Sequence, residues 1–443
     1  MDILQDHKRW QPLSSRKGLD YWSRVILMLY ILTMPFVSAF AFTGTISWPL
    51  IFAVFLFLIM VVKIIQAAAL PPGFMGFDLV IIFLFLLTVV FSFLINGWGN
   101  SKSLNHTIAY LSTFLVFYVA IKFTLFSAPD KNLVLKRTLQ FITYTTIINA
   151  LYGNIEFISA NAFHVNLNDY IPRPTEDEAW YDATVLGIFF RARGFAPESG
   201  HFAFMMELFS PLTLYYMYFS GFCKWAKSLK ALIVVSIIFS FLFAVSTASF
   251  AILPLAVIFA SLIYAKHIIS YIKRKPAKFI ITSVVISVIV FLFNYFFSVY
   301  ALILLSINDK MGSFSLDDRQ ERLNFFTDKF SHLSIINNLI GTGPAGYNIL
   351  GFDESKTILS LYYSITFELG YFGLLFLLFF FLYIFFQALR IRSSIGFFLL
   401  ISVVSGLMHY YFISNFWYPW FWFIAAFVVF IMHTTNKTAL DQY

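Results

Sequence analysis

The sequence contains a succession of uncharged, apolar segments that are each long enough to form a membrane-spanning helix. Val25 to Phe42, Leu79 to Ile95 and Leu369 to Phe386 run for about 17–18 residues, close to the length that crosses ~30 Å of hydrocarbon at ~1.5 Å per residue. The composition is 60% hydrophobic and 12% charged, against roughly 45–50% and 25% in soluble domains. The sequence therefore predicts an all-α, polytopic integral membrane protein.

We predict about twelve transmembrane helices within a single membrane domain that comprises residues 1–443. The predicted spans are residues 25–43, 46–66, 78–96, 106–124, 138–158, 201–220, 230–246, 249–265, 279–304, 358–386, 395–413 and 416–433. Residues 1–24 are polar and basic and lead directly into the first span, so we expect the first helix to act as its own insertion signal. We find no sign of a separate soluble domain, a long linker or an internal repeat in the sequence.

The distribution of basic residues predicts the orientation of the chain. Most of the 30 Lys and Arg residues lie in short segments between the predicted spans, as topogenic signals do. Placing the N-terminus in the cytoplasm puts the basic clusters at 8–24, 131–137, 224–230, 266–278 and 390–392 on the cytoplasmic side, whereas acidic residues show the opposite bias. We therefore expect both termini in the cytoplasm, and we attribute the net charge of +8 to topology rather than to nucleic-acid binding.

The only cysteine in the sequence is Cys223, so neither an intramolecular disulfide nor a thiolate metal site can form. No other group of residues has the spacing of a metal cluster. We expect the protein to use neither a metal ion nor another cofactor.

Two predicted outer connections, residues 159–200 and 306–357, are far longer than the others; we call them the first loop and the second loop. Long connections of this kind are usually functional. They also carry most of the outward charge. The cations are Arg173, Arg191, Arg193, Arg319 and Arg322, and the anions include Asp169, Glu176, Asp177, Glu178, Asp182, Glu198, Asp309, Asp317, Asp318 and Glu321.

The first loop ends in a charged motif that leads into a predicted helix. Arg191 and Arg193 precede Glu198, and His201 follows three residues later, which puts it on the same helix face as Glu198. Glu198 and Ser199 have an alternative, purely structural role, because they could interact with the open N–H groups of the first helical turn. We favour a functional role for Glu198 and for at least one of the two arginines.

The second loop contains the stretch 317–322 (DDRQER) within an amphipathic segment that predicts a helix on the membrane surface. The alternative is a ladder of surface ion pairs, such as Asp318 with Arg322, each contributing only a few tenths of a kcal/mol. The loop closes with Gly341, Gly343 and Tyr347 in a glycine-rich segment that allows close backbone approach. This segment is not a P-loop, since it lacks the following Lys-Ser/Thr and the preceding strand.

Glu207, Glu368 and His409 are ionisable residues that lie inside predicted spans. An ionised carboxylate at Glu207 or Glu368 is energetically expensive in an apolar helix, so each is either a structural group with a partner or a functional one. His409 lies near the end of its predicted helix. A histidine in such a position is more often a buried structural residue than a catalytic group.

The motifs of both loops resemble those of the O-antigen polymerase and ligase superfamily of bacterial envelope-polysaccharide enzymes. Wzy-type polymerases often carry an Arg-x-x-Gly-x-x-x-Glu-Pro-Ser-like motif at the end of their first large outer loop. The segment from Arg191 through Gly194 to Glu198 and Ser199 is similar, with proline before the glutamate rather than after it.

The second loop adds to the resemblance, which covers roughly residues 140–375. The superfamily often has an Arg, an aromatic residue three positions later and a Gly-x-Gly before the next span, and Arg322, Phe325, Gly341 and Gly343 fit this order. Ligases commonly place a His-Asn pair about nine residues before a Glu-x-Gly. This chain has Leu-Ser at 359–360, before Glu368-Leu-Gly370, so the polymerase branch is favoured over the ligase branch.

The resemblance implies a metal-independent glycosyltransferase of GT-C-like architecture in the bacterial inner membrane. Its donor would be a glycan on undecaprenyl pyrophosphate, and its acceptor a lipid-linked repeat unit, with inversion at the donor sugar. Membrane lipids, a flippase and a chain-length regulator are the implied partners, and no nucleic acid is involved. The residues assigned to pyrophosphate or substrate binding are Arg191, Arg193, Arg319, Arg322, Gly341, Gly343 and Tyr347, with Arg193 and Arg322 preferred. The candidates for the catalytic base are Glu198, then His201 and His409.

Three other functions stay open. An O-antigen ligase is the nearest alternative. A lipid-linked oligosaccharide flippase or transporter would be expected to carry charges deep in several helices and to have short outer loops. A non-catalytic partner in an envelope-assembly complex is the third.

Overall fold

The computed structural model describes residues 16–44, 46–67, 70–174, 184–185, 189–274, 276, 314–349 and 360–440. Regular secondary structure in these residues is helical, apart from one antiparallel pair of two-residue strands, β1 (Thr184–Val185) and β2 (Phe189–Phe190). The α-helices are α1 (Arg16–Thr33), α2 (Trp48–Ala67), α3 (Phe77–Ser92), α4 (Ser101–Ser112), α5 (Ala120–Ser127), α6 (Lys131–Ala162), α7 (Ser199–Tyr218), α8 (Lys227–Ala244), α9 (Thr247–Ile263), α10 (Ala265–Arg274), α11 (Phe314–Ser331), α12 (Ile335–Ile340), α13 (Gly346–Ile349), α14 (Leu361–Arg390), α15 (Ser394–His409) and α16 (Pro419–Leu440). Two π-helical segments, Phe93–Gly97 and Thr113–Val119, extend α3 and join α4 to α5, and Leu167–Tyr170 is a 3-10 turn.

Five helical segments of the described chain are long and apolar enough to cross a membrane. They are Trp48–Ala67, Phe77–Gly97, Ser101–Ser127, Lys227–Ala244 and Leu361–Arg390, and Thr247–Ile263, Ser394–His409 and Pro419–Thr434 are shorter apolar helices. The prediction of a helical membrane protein is confirmed. The other predicted spans overlap helices, but the predicted span 25–43 extends ten residues beyond the end of α1 at Thr33, and 279–304 lies outside the described residues. The total of twelve spans stays a prediction.

Two helices form the centre of the bundle. Every side chain from Pro419 to Ile431 of α16 is buried, and so is every side chain from His201 to Thr213 of α7. A helix that is apolar and buried on all its faces lies inside a bundle. By contrast, α2 and α8 expose apolar side chains such as Ile65 and Leu232 outward, on the kind of surface that lipid covers.

The start of α4 is fixed by a side-chain cap. The Asn100 side chain accepts hydrogen bonds from the backbone N–H groups of Lys102 (2.9 Å) and Ser103 (3.1 Å). A cap of this kind satisfies N–H groups that have no partner in the first helical turn. It thereby sets the position of the residues in the next turn, which include His106.

A buried ion pair joins α3 to α5 at the end of α3 opposite to Gly97. Lys122 Nζ lies 2.6 Å from Asp78 Oδ2, and the Tyr118 hydroxyl donates to the same oxygen at 2.6 Å. All three side chains are buried. Buried charges of opposite sign are tolerated when they are paired and hydrogen-bonded, so this group is a structural link between the helices.

Candidate functional site

The end of the first loop is held by a buried carboxylate from α6. Glu156 Oε2 accepts hydrogen bonds from the backbone N–H groups of Arg193 (2.9 Å) and Gly194 (2.8 Å), and its Oε1 accepts one from Asn168 Nδ2 (2.9 Å). Gly194 has a φ of +58°, a conformation that suits glycine and brings successive N–H groups onto one anion. These two amides form an anion-binding nest, and a carboxylate of the chain itself occupies it.

Arg173 holds the same segment from its carbonyl side. Its Nη2 donates to the Gly194 carbonyl at 2.8 Å and to Asn168 Oδ1 at 3.1 Å, and its Nη1 donates to the Ala196 carbonyl. The guanidinium is buried. Because both its amides and its carbonyls are bonded, the segment 193–197 has a fixed conformation, and α7 begins directly after it.

The two arginines of the motif have different surroundings. The Arg193 side chain is buried, with Nη1 donating to the Pro197 carbonyl at 3.2 Å and Nε lying 3.8 Å from Glu156 Oε1. Arg191 is half-buried and interacts with Glu198: burial lowers the pKa of the Arg191 guanidinium, and the Glu198 carboxylate opposes that shift. Arg193 therefore stabilises the loop, and Arg191 is the better placed of the two to contact a bound anion.

Glu198 and His201 come together at the start of α7. Glu198 Oε2 lies 3.9 Å from His201 Nδ1, and the Glu198 side chain is 46% exposed. Glu198 occupies the N-cap position of α7, but its side chain forms no capping hydrogen bond. The His201 side chain is buried, and its Nε2 lies 3.0 Å from Asn415 Oδ1. Glu198 is thus open to solvent, while His201 is fixed beneath it.

His409 lies inside the bundle. Its Nδ1 lies 2.8 Å from Glu207 Oε2, and both side chains are fully buried. The Phe204 ring packs against the imidazole with 4.8 Å between ring centroids. The pairing supplies each of these groups with the partner that a polar side chain needs in an apolar interior.

The charged stretch of the second loop lies on α11, so the prediction of a helix there is confirmed. Phe326 packs against Phe367 of α14 with 6.1 Å between ring centroids, which holds α11 on the first turns of α14. Arg322 is half-buried one turn before Phe326. The side chains of 314–319, including those of Asp318 and Arg319, lie outside the described residues.

The glycine-rich segment of the second loop packs directly against the backbone of α14. The N–H group of Thr342 donates to the Phe367 carbonyl at 2.9 Å, and that of Gly343 donates to the Glu368 carbonyl at 3.1 Å. Gly341 and Gly343 have φ of +84° and +95°, and a Cβ on Gly341 would overlap the Glu368 carbonyl group. This close approach accounts for both glycines without a ligand.

A break in α14 makes this junction possible. At Gly370 the backbone leaves the helical conformation (φ 67°, ψ −168°), so that nearby carbonyls are free to bond outside the helix. Besides the loop amides, the Ser92 hydroxyl donates to the Glu368 carbonyl at 2.7 Å. Tyr347, another substrate-binding candidate of this loop, is buried beside the junction in a cluster with Phe326 and Phe367.

The Glu368 side chain points from this break to α4. Its Oε2 accepts a hydrogen bond from the Tyr110 hydroxyl at 2.7 Å and lies 3.0 Å from His106 Nδ1. Glu368 is completely buried, whereas the His106 side chain is 19% exposed. Tyr110 is stacked on Phe416 with 4.0 Å between ring centroids, and the Trp417 ring lies 6.0 Å from the imidazole. The result is a carboxylate, a phenol and an imidazole in a cluster that reaches the surface at His106.

The connection between α15 and α16, residues 410–418, lies between this cluster and the start of α7. Asn415 is bonded to His201, and Trp417 contacts His106. Because Asn415 and Trp417 are two residues apart, their Cα atoms lie within about 7 Å of each other. The two histidines therefore both contact this connection, at one end of the bundle.

His106, Tyr110 and Glu156 are not among the site residues expected from sequence. The signal that could have found the first two is Glu368, because a carboxylate in an apolar helix requires polar partners at a similar depth. His106 and Tyr110 lie one turn apart on a neighbouring apolar segment and meet that requirement. The local sequence does not predict which segment packs against α14.

A comparison with protein-family models finds no match for this sequence, and neither does a search of curated proteins. The support for a function therefore comes from the side chains of the site and from the motifs of the two loops.

Proposed function

We propose that the protein is a polysaccharide repeat-unit polymerase of the bacterial inner membrane. It transfers a growing glycan from undecaprenyl pyrophosphate to the non-reducing end of a lipid-linked repeat unit. In this proposal the chain has about twelve spans in a GT-C-like arrangement, with both termini in the cytoplasm and the site on the periplasmic face. A flippase and a chain-length regulator of the same pathway are its proposed partners.

The observation that carries the proposal is the grouping of ionisable side chains around residues 410–418, at one end of the bundle, where Glu198 and His106 are partly exposed. Glu198 and Arg191 lie together at the surface on one side, and His106 lies on the other. A transferase that joins two lipid-linked substrates needs such groups at the membrane surface, where both reacting sugars are held by their lipids. The half-buried Trp417 beside His106 offers an aromatic ring that suits the apolar face of a sugar.

The leaving group of this reaction is a lipid pyrophosphate, and arginine is suited to it. A guanidinium keeps its charge and can bind phosphate oxygens bidentately, which stabilises the charge that develops as the pyrophosphate departs. Arg191 and Arg322 are the preferred ligands, and Arg319 is a further candidate. Arg193 is reassigned to loop structure, since its side chain is buried against Glu156 and Pro197.

Deleting the gene tests the proposed reaction. We expect lipid-linked single repeat units to accumulate on the outer leaflet and the surface glycan to fall from a ladder to a core that carries one repeat. Long chains that are not attached to the core would instead indicate a ligase. Repeat units trapped on the inner leaflet would indicate a flippase.

Alanine at Arg191 or Arg322 tests the pyrophosphate ligands. Losing a hydrogen bond to a charged group costs about 1.5–3 kcal/mol, so we expect chain growth to slow roughly 10–150-fold with normal protein levels in the membrane. The measurement is the ladder length of the surface glycan in a complemented deletion strain. Arg137→Ala is the matched control. Arg137 is exposed near the start of α6, at the opposite end of this helix from Glu156, so its replacement should leave the ladder unchanged. Normal ladders in both variants would contradict the assignment.

A further inference from the structure

We propose that His106 is the general base of this reaction, with Glu368 and Tyr110 as positioning residues; the inference rests on the proposed function and names the group that activates the acceptor. The base expected from sequence was Glu198. The structure offers a second group at the same site, built from two helices, α4 and α14, that lie far apart in the sequence.

Glu368 fixes the orientation of the imidazole. The carboxylate is completely buried, and its Oε2 faces His106 Nδ1 at 3.0 Å and the Tyr110 hydroxyl at 2.7 Å. A carboxylate accepts, so Nδ1 donates to it, and the neutral ring then carries its lone pair on Nε2. Tyr110 holds the carboxylate in place, and its own ring is fixed by stacking on Phe416.

The other nitrogen of the ring is available to a substrate. The His106 side chain is 19% exposed, and among the described residues Nε2 has no hydrogen-bond partner. The Trp417 and Phe416 rings flank the imidazole at 6.0 and 5.6 Å between centroids. They leave the ring open at the surface and place an aromatic face beside it, where a sugar can stack.

The alternative bases are less well placed. His201 is buried, with Nε2 occupied by Asn415 and Glu198 Oε2 at 3.9 Å from Nδ1, beyond hydrogen-bonding distance. His409 is buried and paired with Glu207. Glu198 is exposed to solvent and lies near the cationic Arg191, and both conditions favour the ionised, weakly basic carboxylate.

The proposed step balances as follows. The acceptor hydroxyl oxygen forms a bond to the anomeric carbon of the donor glycan, and the bond from that carbon to the pyrophosphate oxygen breaks. Undecaprenyl pyrophosphate leaves with the electron pair, and the hydroxyl proton passes to His106 Nε2. His106 then returns this proton to the pyrophosphate or to water, so that it is neutral for the next cycle.

The test uses the full-length protein in bilayer discs, with lipid-linked repeat units extracted from the deletion strain as substrate. We expect H106A to lengthen glycans about 10²–10⁴ times more slowly than the wild type, and added imidazole to restore part of this rate. E368Q should also be slow, but imidazole should not rescue it, because its own ring is still present. H332A is the matched control: His332 is exposed on the second loop, so the H332A protein should lengthen glycans at the wild-type rate.

Rescue by added imidazole distinguishes a catalytic base from a residue that only stabilises the fold, because imidazole in solution cannot restore activity to a misfolded variant. Equal rates in H106A and the wild type would overturn the proposal. So would a loss in H106A that imidazole cannot restore together with a larger loss in E198Q, since Glu198 would then be the base.

A second measurement requires no substrate. We expect diethyl pyrocarbonate to modify His106 in the wild-type protein faster than the buried His201 and His409, with exposed His332 as the reference in peptide mass spectra. Absence of modification at His106 would overturn the proposal even if the protein polymerises. If His106 is modified but the wild type lengthens no glycan, the proposed function is wrong and the catalytic assignment is overturned with it, while the reactive imidazole stands.

Discussion

Replacing Gly341 with alanine is expected to destroy the junction between the second loop and α14. The new Cβ would overlap the Glu368 carbonyl group, and a φ of +84° is unfavourable for any L side chain. Because the obstacle is backbone, relief requires the loop to move away, which breaks the hydrogen bonds that Thr342 and Gly343 donate to α14. The left-handed strain and the loss of buried backbone bonds together cost about 3–6 kcal/mol.

Thermal unfolding in detergent and the glycan ladder measure this effect. We expect a large fall in melting temperature and loss of polymer. Gly200→Ala is the matched control, since Gly200 lies in the first turn of α7 with open space around its Cα and a φ outside the left-handed region. Alanine there should leave the protein unchanged or slightly more stable. A G341A protein with a wild-type melting temperature would show that the loop does not pack as described.

Replacing Glu156 with alanine is expected to release the end of the first loop. Two backbone N–H groups, those of Arg193 and Gly194, would lose their acceptor inside the protein, and the buried Arg193 guanidinium would lose its nearby anion. Leaving a buried charge without its partner costs about 3–5 kcal/mol. Since α7 begins directly after this segment, we also expect loss of activity through displacement of Glu198.

Protease accessibility of the first loop and the glycan ladder measure this second effect. Glu156→Gln serves as the internal comparison, because an amide oxygen can still accept from the two backbone N–H groups although the charge is gone. A mild E156Q and a severe E156A would assign the stabilisation to hydrogen bonding. Equal damage in both variants would assign it to the charge opposite Arg193. An E156A protein with an intact loop would contradict the role given to the carboxylate.

The sequence predicts the apolar helices well, because length and hydropathy alone decide which segments can cross a bilayer. The predicted spans 46–66 and 78–96 correspond to Trp48–Ala67 and Phe77–Gly97. The residues at which the helices begin and end are less predictable. The span predicted at 138–158 belongs to a helix that runs over Lys131–Ala162, since polar residues can continue a helix beyond its apolar part.

In the site, too, contacts within one helix are predictable from the sequence, whereas contacts between distant segments are not. Glu198 and His201 were found from sequence because a spacing of three residues on a helix brings side chains together. His106 and Glu368 are 262 residues apart, and their contact depends on how α4 and α14 pack. The structural role of Arg193 likewise depends on Glu156, which α6 supplies.

The break in α14 makes the second loop and the helix a single cooperative unit. The Phe367 and Glu368 carbonyls are bonded to amides of the loop, so lifting the loop away breaks both bonds at once; the Glu368 carbonyl would keep only the Ser92 hydroxyl as a donor. Amide hydrogens of Thr342 and Gly343 should therefore exchange together and slowly. Under the proposed function, a substrate bound to α11 or the loop would contact an element hydrogen-bonded to the backbone of Glu368, so we expect its binding to affect the alignment of the His106 imidazole.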